Sequence, residues 1–243
     1  MIMGMPKQGP VIAIDGPAGT GKSSATKRLA EALKFIHVDT GALYRSIAHQ
    51  LISKGFHSDS ADLENQASEM ARSIHIEFKR DSKLTPSNRV FANGQDVTTF
   101  IRTPEVSMLA SQVSAFPPVR AALLALQRRM GCAGRTILEG RDIGTVIFPD
   151  ADIKFFLTAS VDERAKRRLA ELEATGADAP SFEDVRRQIA VRDEGDSTRK
   201  VAPLKKAEDA IEIDTSSMTL DQVVAKMESI VRQKLSSLPG VKK

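Results

Sequence analysis

Residues 16–23 of this chain have the types and the spacing needed to bind the phosphates of a nucleotide. The run Gly16-Pro17-Ala18-Gly19-Thr20-Gly21-Lys22-Ser23 fits the phosphate-loop pattern G-x-x-x-x-G-K-[ST]. Its three glycines allow backbone amides to turn towards an anion, and the N-terminus of a following helix adds partial positive charge. The Lys22 ammonium can reach the outer phosphates, and the Ser23 hydroxyl can ligate Mg²⁺. The pattern predicts a site for a nucleoside triphosphate and Mg²⁺.

The elements around this run must be a strand and a helix if the pattern is to bind phosphate. Val11–Asp15 is a short apolar run that is typical of a buried parallel strand. After the run, apolar residues recur at helical spacing at Ala25, Leu29, Ala30 and Leu33. This order of strand, turn and helix favours phosphate binding over a chance glycine-rich turn.

The same alternation of apolar runs and helical patterns continues along the chain and predicts an α/β fold. Four further strands are expected at Phe35–Asp39, Arg135–Glu139, Ile153–Leu157 and Ala210–Asp214. Thr40 is the expected N-cap of the helix after the second strand, and Leu220–Leu235 is expected to form a closing amphipathic helix. We therefore expect a parallel five-stranded sheet flanked by helices.

Residues 74–99 interrupt this alternation with a pattern that favours antiparallel strands. Ile74–Phe78 alternates between apolar and polar residues, and Arg89–Ala92 is a second strand candidate. Asn93-Gly94 is a strong hairpin-turn signal before Gln95–Thr98. The segment predicts a small antiparallel sheet inserted into the α/β fold.

The composition is that of a globular protein and excludes several function classes. The chain has 243 residues, of which 41% are hydrophobic and 27% charged, enough for one large domain or a core with insertions. No apolar run approaches the roughly 20 residues that span a bilayer. The single cysteine, Cys132, rules out an internal disulfide and suits a reducing compartment. We expect a cytoplasmic protein with no membrane partner.

The net charge of +4 could indicate a nucleic-acid partner. However, the chain has no run of five or six basic residues, only one Tyr and no Trp for base stacking. A small polyanionic ligand explains scattered arginines at least as well. We expect no nucleic-acid partner.

Three clusters outside the phosphate loop carry arginines that could bind a second anion. Arg45 follows the second predicted strand, and Arg141-Asp142 follows the third. Ligands of open α/β sheets bind at the carboxyl ends of strands, where Arg141 and Asp142 would face the loop. The segment from Arg192 to Arg199 is a dense polar block. Taken singly, each cluster could also be an ordinary surface ion pair.

Together these segments resemble bacterial cytidylate kinases. The resemblance covers about residues 10–215 and rests on the phosphate loop and on four further segments: DTGALYR (39–45), SQVSAFPPVR (111–120), EGRDIGTVIFPDA (139–151) and RDEGDSTRKVAPL (192–204). The β insertion resembles the extension that separates this family from adenylate kinases and eukaryotic UMP/CMP kinases. The resemblance implies a P-loop kinase fold and Mg²⁺-assisted transfer of the γ-phosphoryl group of ATP to CMP or dCMP.

The resemblance also implies a set of site residues. The phosphate loop through Ser24, together with Arg167, would bind ATP, and Ser23 would ligate the metal. The catalytic residues would be Lys22, Arg141, Asp142 and Arg199. The monophosphate site would be lined by Thr40, Tyr44, Arg45, Ser111, Arg120, Asp142, Arg192, Asp196 and Arg199. Arg45, Arg141 and Arg199 would neutralise the charge of the phosphate group. Ser111, Arg120 and Asp142 would contact the base, and Arg192 and Asp196 would contact the sugar.

We expect one monomeric domain over residues 1–243. Its core would comprise about residues 10–40, 132–160 and 205–236. The monophosphate-binding region would comprise about residues 41–131. A helical lid would comprise about residues 161–204, with a break at Gly176–Pro180. Three alternatives stay open from the residues alone. These are a kinase for another acceptor, with Asp39 or Asp142 as base for a hydroxyl, a nucleotide-gated switch and a nucleic-acid binder.

Overall fold

The computed structural model describes residues 6–80, 88–174 and 180–237. These residues fall into two units, with unit 1 drawn from 1–37 and 130–243 and unit 2 from 38–129. The division into core, monophosphate-binding region and lid stays a prediction.

The described residues form eight strands, eight helices and two short helical turns. The strands are β1 (Val11–Asp15), β2 (Ile36–Asp39), β3 (Ile76–Arg80), β4 (Asn88–Ala92), β5 (Gln95–Asp96), β6 (Thr136–Gly140), β7 (Ile153–Thr158) and β8 (Ile211–Asp214). The helices are α1 (Lys22–Leu33), α2 (Thr40–Ser53), α3 (Leu63–Ser73), α4 (Pro104–Val113), α5 (Pro117–Cys132), α6 (Val161–Ala174), α7 (Phe182–Thr198) and α8 (Leu220–Ser236). Phe100–Arg102 is a 3-10 turn, and Ile143–Ile147 is a π-helical turn.

The predicted parallel five-stranded sheet is confirmed, with the order β2-β6-β1-β7-β8. Strand β1 lies at its centre, pairs in parallel with β6 and β7, and is buried along its whole length. The register places Asp15 opposite Gly140 of β6 and Phe156 of β7. Since parallel strands end at the same edge of a sheet, the residues that follow β1 and β6 begin side by side.

Helices α1 and α8 cover the core of unit 1 with the apolar faces that the sequence predicts. Side chains from both helices and from β1, β6, β7 and β8 form one buried cluster that includes Leu29, Phe155 and Met227. Helix α8 begins with a capping box, in which the Thr219 hydroxyl accepts from the Gln222 amide and the Gln222 side chain accepts from the Thr219 amide. Helix α1 begins differently, at Gly21 in the left-handed region with no side-chain cap.

Helix α2 begins one residue earlier than the sequence predicts, because Asp39 and not Thr40 is its N-cap. The Asp39 carboxylate accepts a hydrogen bond from the Ala42 amide at 3.2 Å, and Thr40 is the first helical residue. An aspartate satisfies the open amides of a first turn as well as a threonine does and also carries a charge that complements the helix dipole. The expectation that Thr40 caps this helix is therefore wrong.

The predicted antiparallel insertion is confirmed as the three-stranded sheet β3-β4-β5 of unit 2. Asn93 and Gly94 form the turn between β4 and β5 with φ angles of 50° and 81°, as the Asn-Gly signal predicts. The ion pair between Arg89 and Asp96 joins the same two strands. Elsewhere in unit 2, α2 packs against α3 and α4.

Helices α6 and α7 occupy the predicted lid region and pack through Ala165, Val185 and Ile189. Of the predicted break at Gly176–Pro180, residues 176–179 lie outside the described residues. No single helix in the described ranges is long and apolar enough to cross a membrane. The pair α4 and α5, bent by 99°, meets the criteria of length and composition only when the two are taken together.

Substitution of two helical glycines by alanine should change the free energy of unfolding in opposite directions. A Cβ on Gly131 would lie 2.3 Å from the Phe148 ring, which is itself buried, whereas a Cβ on Gly195 would meet nothing within 4 Å. Gly131→Ala should therefore lower the free energy of unfolding by about 1–3 kcal/mol through overpacking. Gly195→Ala, as the matched control, should raise it by about 0.5–1 kcal/mol because alanine favours the helix. Urea unfolding of both variants measures the two values, and equal effects would contradict the packing around Phe148.

Candidate active site

The phosphate loop of unit 1 joins β1 to α1 and requires glycine at its first position. Gly16 has a φ of 144°, and a Cβ there would lie 2.1 Å from the carbonyl oxygen of Leu157. Gly19 and Gly21 have φ angles of 76° and 81°, in the region that favours glycine. The uncapped start of α1 leaves its first amides open to a ligand. This local geometry is suited to binding phosphate.

Lys22 lies within the loop and is only 6% exposed. Its ammonium donates to the carbonyl oxygen of Pro17 and, at 3.4 Å, to the Thr20 hydroxyl. Burial lowers the pKa of Lys22 well below its usual value, and the charges of Arg141 and Arg192 lower it further. An anion beside Lys22 would offset this crowding of positive charge, and a phosphate group is such an anion.

Ser23 is connected to Glu139 and His37 by a chain of hydrogen bonds. The Ser23 hydroxyl donates to one carboxylate oxygen of Glu139 at 2.8 Å, and the other oxygen lies 2.9 Å from His37 Nε2. Glu139 is 3% exposed and stands near the carboxyl end of β6. Because the Ser23 hydroxyl donates its proton to Glu139, its oxygen lone pairs are oriented away from this carboxylate.

Asp15 connects the end of β1 to the turn that follows β6. Its two carboxylate oxygens accept from the Ile143 amide at 2.8 Å and the Gly144 amide at 2.7 Å. Burial raises the pKa of Asp15 to about 6, although these two amides and the charge of Lys22 favour the ionised form. The residue thus fixes the π-helical turn immediately after Asp142.

Arg141, Asp142, Asp196 and Arg199 form a cluster beside this turn. Arg141 Nε donates to Asp196 at 2.8 Å, and Arg199 lies 3.5 Å from Asp142 and 3.9 Å from Asp196. Burial raises the pKa of Asp196, but the charges of Arg141, Arg192 and Arg199 outweigh it and leave that pKa below its usual value. The cluster therefore holds an ionised Asp196 among three arginines, and the structure brings together residues that the sequence places 55 positions apart.

Arg167 lies next to the phosphate loop, as a Cβ on Gly21 would be 4.0 Å from its Nη1. Its guanidinium donates to the hydroxyl and the carbonyl oxygen of Thr215 at 3.1 and 2.6 Å, and to Glu163 at 3.2 Å. The Thr215 hydroxyl in turn donates to the carbonyl oxygen of Thr20 at 3.1 Å. Arg167 thus braces the loop through Thr215.

The predicted site residues of unit 2 lie on α2, α4 and α5. Arg45 pairs with the capping carboxylate of Asp39 at 2.6 Å. The Arg120 guanidinium lies 5.7 Å from the centre of the Tyr44 ring and donates to the carbonyl oxygen of Ser114 at 3.2 Å. Thr40, Tyr44 and Arg120 are each buried, and Ser111 of α4 is half-buried. The ion pair with Asp39 and the ring of Tyr44 hold the two cationic side chains within this unit.

Sequence reasoning missed several residues that build the site in unit 1. Asp15 and Glu139 are polar residues at the carboxyl ends of central strands, a position that marks functional groups in open α/β sheets. That rule could have found both. Buried Arg164 also contacts the loop through the carbonyl oxygen of Ala18 and pairs with Asp193, and nothing in a helix with four basic residues distinguishes Arg164 from its neighbours.

Comparisons with known proteins agree with this geometry. The family model for cytidylate kinase matches residues 12–233. The chain belongs to the cytidylate kinase family. It is 49% identical over 230 residues to the cytidylate kinase of Citrifermentans bemidjiense, covering 95% of this chain and 96% of that protein. It is 47% identical to the cytidylate kinase of Geobacter sulfurreducens over 96% and 97% of the two chains, and 46% identical to that of Anoxybacillus flavithermus over 92% and 96%.

The raised pKa of Asp15 predicts a pH dependence of stability. Because its pKa of about 6 in the folded chain exceeds the usual pKa of 3.8, the stability that Asp15 contributes is fully present below pH 3.8 and is lost as the pH rises through 6. Asp15→Asn removes this titration. The free energy of unfolding of the wild type minus that of the variant should fall by about 1 kcal/mol between pH 5 and pH 7.5.

Urea unfolding of both proteins at the two pH values gives this difference, in which the other carboxyl groups cancel. A difference that is constant or that grows with pH would contradict the burial of an ionisable Asp15.

Proposed function

We propose that Lys22 and the arginines around Asp196 neutralise the phosphate groups of two nucleotides during phosphoryl transfer. The reaction of this family member is the phosphorylation of CMP and dCMP by ATP, which gives CDP and dCDP. One observation supports the proposal above all others. The charges of Arg141 and Arg192 act on both the Lys22 ammonium and the Asp196 carboxylate, so the donor loop and the arginine cluster share one electrostatic environment.

The chemistry of the acceptor explains why cations matter more than a general base. The second pKa of a phosphate is about 6, so the attacking oxygen of CMP is already largely ionised at neutral pH. The barrier comes from bringing this anion close to ATP, and the transition state carries charge on the transferred group. Lys22 from the donor side, with Arg141 and Arg199, would hold that charge, and a guanidinium can grip two phosphate oxygens at once.

We assign the remaining residues by the same logic. Arg45 would take part of the phosphate charge of the monophosphate, with Thr40 and Tyr44 on the same helix. Ser111, Arg120 and Asp142 would contact the base, and Arg192 and Asp196 the sugar. Asp142 would also act with the catalytic cations by holding Arg199, from which it lies 3.5 Å away. On the donor side, the loop from Gly16 to Ser24 would hold the ATP phosphates, with Arg167 beside Gly21.

The residues around Ser23 fit a Mg²⁺ ion. Mg²⁺ prefers oxygen ligands and binds through one or two protein groups together with substrate phosphates and waters. The Ser23 hydroxyl would be the direct ligand, and Glu139, which accepts its proton at 2.8 Å, would orient it. Within the described ranges no three His, Cys, Asp or Glu residues form a ligand cluster, so the phosphates themselves would supply much of the coordination. When bound, the ion would offset negative charge on the phosphates.

We further propose that the chain acts as a cytoplasmic monomer with ATP and CMP or dCMP as its small-molecule partners. The single cysteine, Cys132, is buried, and a chain with one cysteine has no internal disulfide, which suits a reducing compartment. Gel filtration with light scattering tests this proposal, and a mass near twice 26.4 kDa would contradict it.

An acceptor panel tests the function itself. With ATP and Mg²⁺, kcat/KM for ADP formation should be at least about tenfold higher with CMP or dCMP as the acceptor than with AMP, GMP or shikimate. The reason is that the site must recognise both a phosphate and a cytosine base. Coupled ADP detection, with CDP confirmed by chromatography, measures the rates. ADP formation only with a non-cytidine acceptor would overturn the proposal.

Two substitutions separate the donor and acceptor roles. Lys22→Ala should lower kcat by about 10²–10³-fold with every acceptor, because it removes a donor to the transferred group. Asp196→Ala should raise KM for CMP by about 10- to 150-fold and leave KM for ATP within threefold, because a charged hydrogen bond contributes about 1.5–3 kcal/mol. Steady-state kinetics with each substrate varied in turn measures both effects.

Asp221→Ala is the matched control, because Asp221 is exposed and pairs with Arg28 at the surface. Its kinetic constants should equal those of the wild type. An equal loss of ATP and CMP affinity in Asp196→Ala would contradict the assignment of Asp196 to the acceptor side.

A further inference from the structure

Arg164 of α6 is a buried guanidinium that the reaction described above does not use. Its side chain is only 4% exposed. It donates through Nε to the carbonyl oxygen of Ala159 at 3.0 Å and through Nη1 to the carbonyl oxygen of Ala18 at 3.2 Å. The same Nη1 lies 2.6 Å from the Asp193 carboxylate. One side chain therefore joins the end of β7, the phosphate loop and α7.

On the side of the loop, Arg164 is in contact with the backbone that would enclose ATP phosphates. A Cβ on Gly19 would lie 3.0 Å from the Arg164 Cβ, so α6 packs directly against the loop at this glycine. The hydrogen bond to Ala18 then fixes the carbonyl immediately before Gly19. Any shift of Arg164 changes the position of this part of the loop.

On the side of α7, Asp193 lies within the polar block from Arg192 to Arg199. It follows Arg192 directly and precedes Asp196 by three residues, which is about one helical turn. Asp196 bonds to Arg141 at 2.8 Å. The Arg164–Asp193 pair therefore holds the turn of α7 that presents Arg192 and Asp196.

Stability alone is a weak reason for such a pair. A largely buried ion pair loses much of its Coulombic gain to desolvation and is often no better than apolar packing. What a guanidinium adds is a rigid, planar set of donors that can satisfy a carboxylate and two carbonyl oxygens in one arrangement. Arg167, three residues later, contacts Thr215 instead and does not share this task.

We propose that Arg164, locked by Asp193, is a positioning residue that aligns the phosphate loop with the Arg192–Asp196 turn for phosphoryl transfer. This inference rests on the proposed function. It assigns Arg164 to alignment and not to contact with either nucleotide. In-line transfer is sensitive to such alignment, since a displacement of about 1 Å can cost about 10²-fold in rate.

The test uses the full chain and four variants. Arg164→Lys keeps the charge but cannot reach all three acceptors, and Asp193→Asn keeps the shape but loses the charge. The double variant completes a mutant cycle. Arg168→Lys is the matched control, because Arg168 lies on the same helix, is half-buried and pairs with the exposed Glu171. The readouts are kcat for CMP, the Kd of a non-hydrolysable ATP analogue, the Kd of CMP and the melting temperature.

We expect Arg164→Lys to lower kcat by about 30- to 100-fold and Asp193→Asn by about tenfold, with both Kd values within threefold of wild type. The double variant should lose no more than Arg164→Lys alone, and Arg168→Lys should match the wild type. A purely structural role would lower the melting temperature but leave kcat per folded molecule unchanged, and this result would overturn the inference.

Two other results would also overturn it. A Kd for the ATP analogue that rises in proportion to the loss of kcat would make Arg164 a ligand of ATP, and additive losses in the double variant would show that the pair does not act as a unit. The wild-type assay separates this inference from the function on which it rests. If the wild type fails to phosphorylate CMP, the proposed function fails, whereas wild-type turnover with an unaffected Arg164→Lys variant removes only the positioning role.

Discussion

The crowding of buried positive charge beside the phosphate loop is the constraint on which the site of unit 1 depends. Lys22 is buried, and the charges of Arg141 and Arg192 act on it, so its pKa lies well below the usual value. A protein pays for such an arrangement in stability unless anions are close. Within the fold, Glu139 and Asp15 offset part of the positive charge at Lys22. Asp196 is a further anion nearby, and it stays ionised despite its burial because three arginines surround it. The phosphates of two nucleotides would supply the remaining negative charge.

The sheet supplies the precision that this charge cluster needs. Because β1 and β6 are parallel neighbours, the phosphate loop and the Arg141-Asp142 segment leave the same edge of the sheet. Two buried carboxylates then join these segments, Asp15 through the amides of Ile143 and Gly144 and Glu139 through the Ser23 hydroxyl. The positions of Lys22 and Arg141, the cations that we propose to be catalytic, thus follow from strand register and a few buried hydrogen bonds rather than from flexible surface contacts.

Most of the fold could be predicted from the sequence because its signals are local. The apolar run at Val11–Asp15, the glycine pattern after it and the Asn93-Gly94 turn each have one favoured conformation, and the structure has it. The sequence predicts the start of α2 one residue late because Asp39 and Thr40 are both good N-caps, and only the contact with Ala42 decides between them.

The long-range contacts of the site could not be predicted in the same way. The pairing of Arg141 with Asp196 and of Arg164 with Asp193 depends on how α6 and α7 pack, and no local pattern records that packing. The same holds for His37, which is in contact with Glu139 although no motif joins the two residues. The family resemblance predicts that Arg141 and Asp196 are site residues, but their mutual contact comes only from the structure.

The central claim is that the arginine cluster recognises the phosphate group of the acceptor. Isothermal titration of the full chain with CMP and with cytidine tests it directly, because the two ligands differ only in that group. The account predicts that CMP binds at least about 100-fold more tightly than cytidine, as two or more charge-assisted hydrogen bonds to phosphate would give. Equal affinities for CMP and cytidine would contradict it.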